Sequence, residues 1–337
     1  MLAMSAALNS TELAHAVGIL RRGGLVAFPT ETVYGLGARA LDPVALARIF
    51  SAKGRPVNHP LIAHVLGERE ARELAAAWSP LASRLASAFW PGPLTLVVPR
   101  APHVPLELTG GGDSVGLRAP RHPIARALLE ALGEPIAAPS ANRYQTVSPT
   151  TAAHVVASLG DRVDLILDGG PCTEGIESTV VDVRGEVPVI LRPGALDWVT
   201  LQTVAPTLLD SAVETAPARS EDDPHLSPGL DRRHYAPRTP LVVLSGPSEL
   251  LAEASLRGER GQTVALLLVS PLADGIPAGG ARVHVLGPDP VAYARGLFAK
   301  LHELDAAGVD VVLVEGVPRS PRWGAVRDRL RRASAEG

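Results

Sequence analysis

The sequence predicts an α/β protein of two domains, the first built on a mixed sheet and the second on a small parallel sheet. Three observations predict it. Helix and strand signals interleave from the start of the chain; a proline-rich stretch over residues 212–240 carries neither period; and β-branched apolar runs alternating with helices resume after it. The length agrees, because 337 residues are too many for one ordinary core.

Asn9 and Glu12 read as a capping box that opens a helix running to residue 22, where Gly23 and Gly24 stop it. A strand follows over 25–28. Asp42 and Pro43 open the next helix as N-cap and first-turn proline. Residues 61–65 form a short apolar strand, and helices are expected over 68–78 and 80–90, the second capped by Ser79. Strands are expected over 94–98, 115–118, 136–138, 165–167, 179–183 and 187–191, with helices over 123–132 and 151–159 between some of them. The strands crowd together after residue 160, which suggests a mixed rather than a purely parallel sheet.

The 212–240 stretch holds Pro217, Pro224, Pro228, Pro237 and Pro240 and the acidic cluster Glu221, Asp222 and Asp223. A connection this long without a period is a linker or a functional lid. Beyond it, the runs 242–244, 264–269, 283–286 and 311–314 are strands. The clearest helix starts at Asp289 and Pro290, runs to 307 and stops at Gly308. The implied division is a first domain over 10–205, a linker or lid over 206–240 and a second domain over 241–335.

Apolar residues make up 46% of the chain and charged residues 20%, the balance of a well-buried globular protein. A net charge of −3 provides no basic field of the kind a stand-alone nucleic-acid binder shows. Cys172 is the single cysteine, so no intramolecular disulfide forms and a reducing compartment fits. No signal pattern is visible, and apolar runs such as 264–269 are far too short to cross a bilayer. A soluble cytoplasmic protein without a membrane partner is expected.

Several chemistries are excluded. There is no phosphate-binding GxxxxGK[ST] loop. Gly35, Gly37 and Ala40 imitate a dinucleotide fingerprint, but the strand ends near Phe28 and the next helix waits until Asp42. No HxxxH or CxxC pattern occurs, so no metal site is assigned, and no nucleophile elbow is read.

Four stretches remain. PTETVYGLG over 29–37 places small hydroxyls, one acid and two glycines at a strand end. KGRP over 53–56 sets two cations, Lys53 and Arg55, around a glycine just after a helix, where they can converge on a polyphosphate. PSAN over 139–142 follows a buried strand, with Ser148 close behind, and strand ends of α/β proteins are where ligands bind. STVVD over 178–182 and LRPG over 191–194 put a serine at the entry to one strand and an arginine at the exit of the next. Taken singly, each also reads as an ordinary turn, cap or surface pair.

The ordered combination, with PL at 60–61 and SPT at 148–150, resembles the threonylcarbamoyl-AMP synthase (YrdC-like) family over about residues 10–200. SPG over 227–229 and RHYAP over 233–237 look like the linker of the long, two-domain members, and Asp328, Arg329 and Leu330 are similar to their C-terminal domain. The resemblance implies an open, twisted mixed sheet with a concave basin and a Rossmann-like second domain. It implies L-threonine, bicarbonate or carbon dioxide, ATP and Mg2+ as inputs. Threonylcarbamoyl-AMP and pyrophosphate are the implied products, and a separate transferase complex would pass the group to a tRNA adenosine.

By motif position, Thr32, His64, Arg118, Ala138 and Ser178 would line the threonine pocket, with Arg118 on the substrate carboxylate. Lys53, Arg55, His59, Ser114, Ser140, Asn142, Ser148, Arg192 and Tyr235 would surround the nucleotide, Lys53 and Arg55 carrying catalysis. Lys53 and Arg55 are expected at the basin surface. No nucleophile or general base is assigned. His59 stands where many relatives have asparagine, Tyr144 and Gln145 replace a common Ser–Gly, and Leu230, Asp231 and Arg232 replace Met–Lys–Tyr. The competing readings are an RNA-binding YrdC-like module without catalysis and an enzyme making a carbamoyl adenylate for a carbamoyltransferase.

Overall fold

The computed structural model of the chain describes residues 9–210, 227–229, 231–272 and 281–335. They fall into two units, one within Met1–Tyr144 and Ser148–Leu230, the other within Gln145–Val147 and Asp231–Gly337. Part of the predicted linker, residues 211–226 and 230, lies outside the described residues.

The first unit opens with α1 (Ser10–Arg21), whose predicted capping box is formed: the Asn9 side chain accepts from the Glu12 N–H at 2.9 Å and Glu12 accepts from the Asn9 N–H at 3.3 Å. β1 (Val26–Phe28) then pairs antiparallel with β2 (Gly35–Arg39). This second strand is not evident in the sequence, because Gly-Leu-Gly-Ala-Arg lacks β-branched and aromatic residues. Its glycines are there for space. A Cβ on Gly37 would lie 2.7 Å from the Phe28 ring and 3.0 Å from the Val26 carbonyl oxygen.

α2 (Pro43–Lys53) is capped by Asp42, which accepts from the Val44 and Ala45 N–H groups, and is closed by Gly54 in a left-handed conformation. β3 (Ile62–His64), α3 (Glu68–Glu73), α4 (Pro80–Phe89) and β4 (Leu94–Pro99) follow. α3 stops five residues short of its predicted end at 78. The backbone there is drawn into pairing instead: Ala75 bridges Arg100, and the Ala76 N–H donates to the Pro99 carbonyl at 2.8 Å. The unit is completed by α5 (Leu106–Thr109), β5 (Ser114–Arg118), α6 (Pro123–Leu132), β6 (Ile136–Ala137), α7 (Ala152–Leu159), β7 (Leu165–Ile166), β8 (Thr179–Asp182), β9 (Val189–Arg192), α8 (Trp198–Gln202) and β10 (Leu209–Asp210).

These ten strands form one mixed sheet in the order β10-β9-β8-β4-β5-β3-β6-β2-β1-β7. Pairs β3/β5 and β4/β8 are parallel, whereas β4/β5, β3/β6, β2/β6 and β8/β9 are antiparallel. Both faces are covered. Val26 and Phe28 pack with Ala16, Leu20 and Leu128 in one cluster, while Ala27 belongs to a second cluster with Leu46, Ile49 and Leu85. A strand buried on both faces reads as an unbroken apolar run, which is how β1 was legible.

The second unit consists of β11 (Leu241–Leu244), α9 (Pro247–Glu259), β12 (Val264–Leu268), β13 (Arg282–Val285), α10 (Pro290–Ala307), β14 (Val311–Glu315) and α11 (Gly324–Ala333). Its four strands among the described residues are all parallel, in the order β11-β14-β12-β13. Asp289 caps α10 through the Ala292 N–H at 2.8 Å, and Gly308 ends it in a left-handed conformation, as predicted. On α11, Asp328 accepts from Arg329 at 2.8 Å, Arg331 at 3.0 Å and Arg332 at 2.9 Å. Arg332 in turn donates to the Asp231 carbonyl and accepts from the His234 N–H at its own carbonyl, so α11 holds residues 231–234.

Candidate active site

In the first unit, motifs far apart in sequence are joined by backbone pairing. The Leu36 N–H donates to the Pro139 carbonyl at 2.8 Å, the Ala141 N–H donates to the Tyr34 carbonyl at 2.8 Å, and Gly35 bridges Ser140. These contacts zip PTETVYGLG to PSAN. The Tyr34 N–H also reaches the Pro149 carbonyl at 2.9 Å, which ties the SPT motif to the same loop.

Lys53 fixes the next junction. It leaves the last turn of α2 and its ammonium donates to the carbonyls of Ser140 and Asn142, both at 2.5 Å. The Tyr144 N–H donates back to the Lys53 carbonyl at 2.9 Å. Burial, then the neighbouring positive charge of Arg55, pushes the Lys53 amine well below its ordinary value. Arg55 donates to the Pro60 carbonyl at 3.1 Å. The two side chains are only 3% and 7% exposed, so they are not at a surface as the sequence reading expects. The reason is the zipped loop: a lysine that binds two carbonyls across from its helix is covered by the chain that carries them.

His59 is buried and stands edge-on to Tyr144, ring centroids 5.5 Å apart. Two of the residues that depart from the common pattern are therefore in contact with each other. Gln145 has φ 65°, a backbone setting that glycine adopts without strain.

A second cluster forms across the sheet. His64 at the end of β3 lies directly opposite Arg118 at the end of β5. Arg118 donates through Nη2 to Glu31 at 2.7 Å and through Nε to the Gly92 carbonyl at 3.3 Å. Burial, then the Arg118 charge, pushes His64 down to about 3, so its ring is neutral at pH 7. Its Nδ1 is buried without a partner among the described residues. Thr32 is fully buried, its hydroxyl 2.8 Å from that of Thr30. Ala138 donates its N–H to the Ile62 carbonyl at 3.0 Å and so lies beside β3.

The third cluster opens β8. Ser178 Oγ is 2.8 Å from Thr95 Oγ1, and Arg192 donates to the Ser178 carbonyl at 2.9 Å and to its hydroxyl at 3.2 Å. Ser148 donates to Glu177 at 2.5 Å. Arg192 also reaches the Pro228 carbonyl at 3.2 Å, which brings part of the SPG motif to this cluster. Ser114, at the start of β5, pairs with Pro99 and is buried.

The family model described as "Telomere recombination" matches residues 18–194, and that described as "Threonylcarbamoyl-AMP synthase, C-terminal domain" matches residues 199–335. The threonylcarbamoyl-AMP synthase of Pyrococcus abyssi is 42% identical over 329 residues, covering 95% of this chain and 93% of that protein. The chain belongs to the threonylcarbamoyl-AMP synthase family. The Bacillus subtilis member is 36% identical, over 97% of this chain and 94% of its own length. The crystal structure of Pyrococcus abyssi Sua5 complexed with L-threonine superposes with a TM-score of 0.87 at 40% identity, over 97% of this chain and 95% of that one.

For a threonylcarbamoyl-AMP synthase family chain, two residues of these clusters were not singled out from sequence: Glu31 and Glu177. Both are buried carboxylates next to a hydroxyl residue. Glu31 stands among the threonines of the first motif, and Glu177 immediately precedes the STVVD motif. A single acid in a loop has no spacing to mark it, and only the paired partner identifies it. Cys172 is buried, and burial, then the Glu31 charge, raises its thiol to about 12, so it offers no thiolate nucleophile. Tyr235 belongs to the second unit. Its ring stacks on Phe298 at 5.8 Å between centroids and lies under the Arg329 guanidinium at 4.6 Å. Among the described residues, no helix is long and apolar enough to cross a membrane.

Proposed function

We propose that the chain condenses L-threonine, bicarbonate or carbon dioxide, and ATP into L-threonylcarbamoyladenylate with release of pyrophosphate. The threonine nitrogen attacks the carbon of carbon dioxide and gives up a proton, which leaves a carbamate. A carbamate oxygen then attacks the α-phosphorus, and the bond from that phosphorus to the pyrophosphate oxygen breaks. An anion must approach a polyanion, so the chemistry needs neutralising cations and in-line positioning more than a covalent side chain.

The observation that carries this reading is the buried cation pair of Lys53 and Arg55 beside Ser140 and Asn142. Cations placed at a triphosphate neutralise its charge as the carbamate approaches. In this reading Ser148 and Arg192 meet the nucleotide, with His59 and Ser114 beside them, and Tyr235 joins that set on its motif alone. Arg118 takes the threonine carboxylate, neutral His64 offers Nδ1 to a polar group of the amino acid, and Thr32, Ala138 and Ser178 shape the remaining wall. Magnesium enters as part of the MgATP substrate, since Mg2+ is commonly held through phosphates and water.

The catalytic domain is proposed to span 10–205 and the C-terminal domain 241–335, with 206–240 as a lid that shields the hydrolysable adenylate. The product then passes to a separate transferase complex acting on tRNA in the cytoplasm. Coupled pyrophosphate detection tests the proposal. Release is expected only when L-threonine, bicarbonate and MgATP are all present. Release of ADP and phosphate without threonine would contradict it.

A further inference from the structure

Arg118 is buried at the end of β5 together with one carboxylate, Glu31. That carboxylate is held at both oxygens. Oε1 accepts from Arg118 Nη2 at 2.7 Å, and Oε2 accepts from the Arg121 N–H at 3.0 Å. The backbone of Glu31 is fixed as well, since its carbonyl accepts from the Glu174 N–H at 2.7 Å and the flanking Thr30 hydroxyl closes a turn onto the Val33 carbonyl at 2.6 Å. Burial alone would push the Glu31 carboxyl upward. The charge of Arg118 and the hydrogen bonds from Arg118 and Arg121 outweigh it and leave the group below its ordinary value, hence ionised.

A guanidinium has five N–H donors in a rigid plane. Nε is used on the Gly92 carbonyl and one Nη2 hydrogen on Glu31. Two bonds at different nitrogens fix the rotation of the plane, and both hydrogens of Nη1 and one of Nη2 remain without a partner among the described residues. A carboxylate recognised by arginine needs two parallel N–H groups at a set angle, so a guanidinium free to rotate would lose that geometry.

We propose that Glu31 is a positioning residue for substrate: it holds Arg118 buried and rotationally fixed, so that the remaining edge of the guanidinium presents a ready fork to the carboxylate of the amino-acid substrate. This rests on the reading of Arg118 as the threonine carboxylate partner. Glu31 itself touches no reacting atom. It also balances the arginine charge before substrate arrives, which makes the burial of Arg118 tolerable in the empty site.

The test is a double-mutant cycle on threonine KM in the full chain, with ATP KM and threonine affinity by calorimetry measured alongside. Glu31→Gln keeps the size and one acceptor but removes the charge. It is expected to raise the threonine KM by ~10-fold or more while the ATP KM moves less than about twofold. Glu31→Asp keeps the charge with a shorter reach and is expected to fall between wild type and Glu31→Gln; it serves as the readout if Glu31→Gln does not fold. In an Arg118→Lys background, Glu31→Gln should add less than about a further twofold, because the fork it orients is already gone. Equal effects on both substrates, or an undiminished effect in the Arg118→Lys background, would overturn the positioning role. An unchanged threonine KM in Glu31→Gln alongside a raised one in Arg118→Lys would overturn the role of Glu31 only. An unchanged threonine KM in Arg118→Lys would overturn the reading of Arg118 and this proposal with it.

Discussion

Lys53 shows how a surface-like motif becomes a buried joint. Its ammonium holds the carbonyls of Ser140 and Asn142, so it serves the PSAN loop as well as any phosphate brought to it. Lys53→Ala should therefore lower turnover by at least ~10-fold and also reduce stability by about 1–3 kcal/mol, since two buried carbonyls lose their donor. Steady-state kinetics and urea denaturation on one preparation check both effects; wild-type stability with lost turnover would mean that the loop does not depend on the lysine. His64 makes a prediction about pH. Its folded value of about 3 lies below its ordinary 6.5. Between those values the unfolded chain binds a proton that the folded chain refuses, so stability falls as the pH is lowered from 6.5 toward 3, with a slope from this group of at most about 1.4 kcal/mol per pH unit. Denaturation midpoints of wild type and His64→Gln across that range should converge as pH falls, because the variant lacks this titration. Parallel curves would contradict a neutral buried imidazole.

At the scale of elements, the helices with explicit chemistry at their ends were legible. The Asn9 capping box, Asp42 with Pro43 and Gly54, and Asp289 with Gly308 each name a donor or a backbone conformation that only a helix end requires. β1 and the strands of the second unit were legible as apolar runs. β2 was not, because its Gly-Leu-Gly core answers to the crowding of Phe28 and Val26 rather than to strand propensity. The overlong reading of α3 has a similar cause, as residues 75–76 leave the helix for pairing with residues 99–100. The site was legible as motifs but not as clusters. Nothing in the spacing says that His64 faces Arg118, that Glu31 pairs with Arg118, or that Glu177 meets Ser148. Gly194 carries the sharpest prediction at this scale. The LRPG turn passes so close over the entry to β8 that a methyl at 194 would land on backbone atoms of Glu177, Ser178 and Thr179. Gly194→Ala should destabilise the first unit by roughly 1–3 kcal/mol or more and impair use of both substrates together, because the Ser178 and Arg192 cluster must shift. Kinetics that change for one substrate alone would argue against that shared displacement.

The whole molecule is two units with separate cores. The first buries its mixed sheet on both faces, and the second buries its own parallel sheet, with Leu250, Leu266 and Leu313 in one cluster. Asp328 ties three arginines of α11, and through Arg332 it supports residues 231–234. Removing a buried charge partner leaves the others uncompensated, so Asp328→Ala should cost the second unit about 3–5 kcal/mol. Hydrogen exchange should show protection lost in α10, α11 and β11 and kept in β4 and β5; uniform loss through both units would show that they do not unfold separately. The chemistry attributed to the chain has its own direct test. Wild-type protein is incubated with MgATP, L-threonine and 13C-bicarbonate, and the adenylate fraction is analysed by mass spectrometry. The expected result is threonylcarbamoyl-AMP carrying one labelled carbon, in step with pyrophosphate and absent without threonine. An adenylate without the label, or nucleotide turnover indifferent to threonine, would contradict the account.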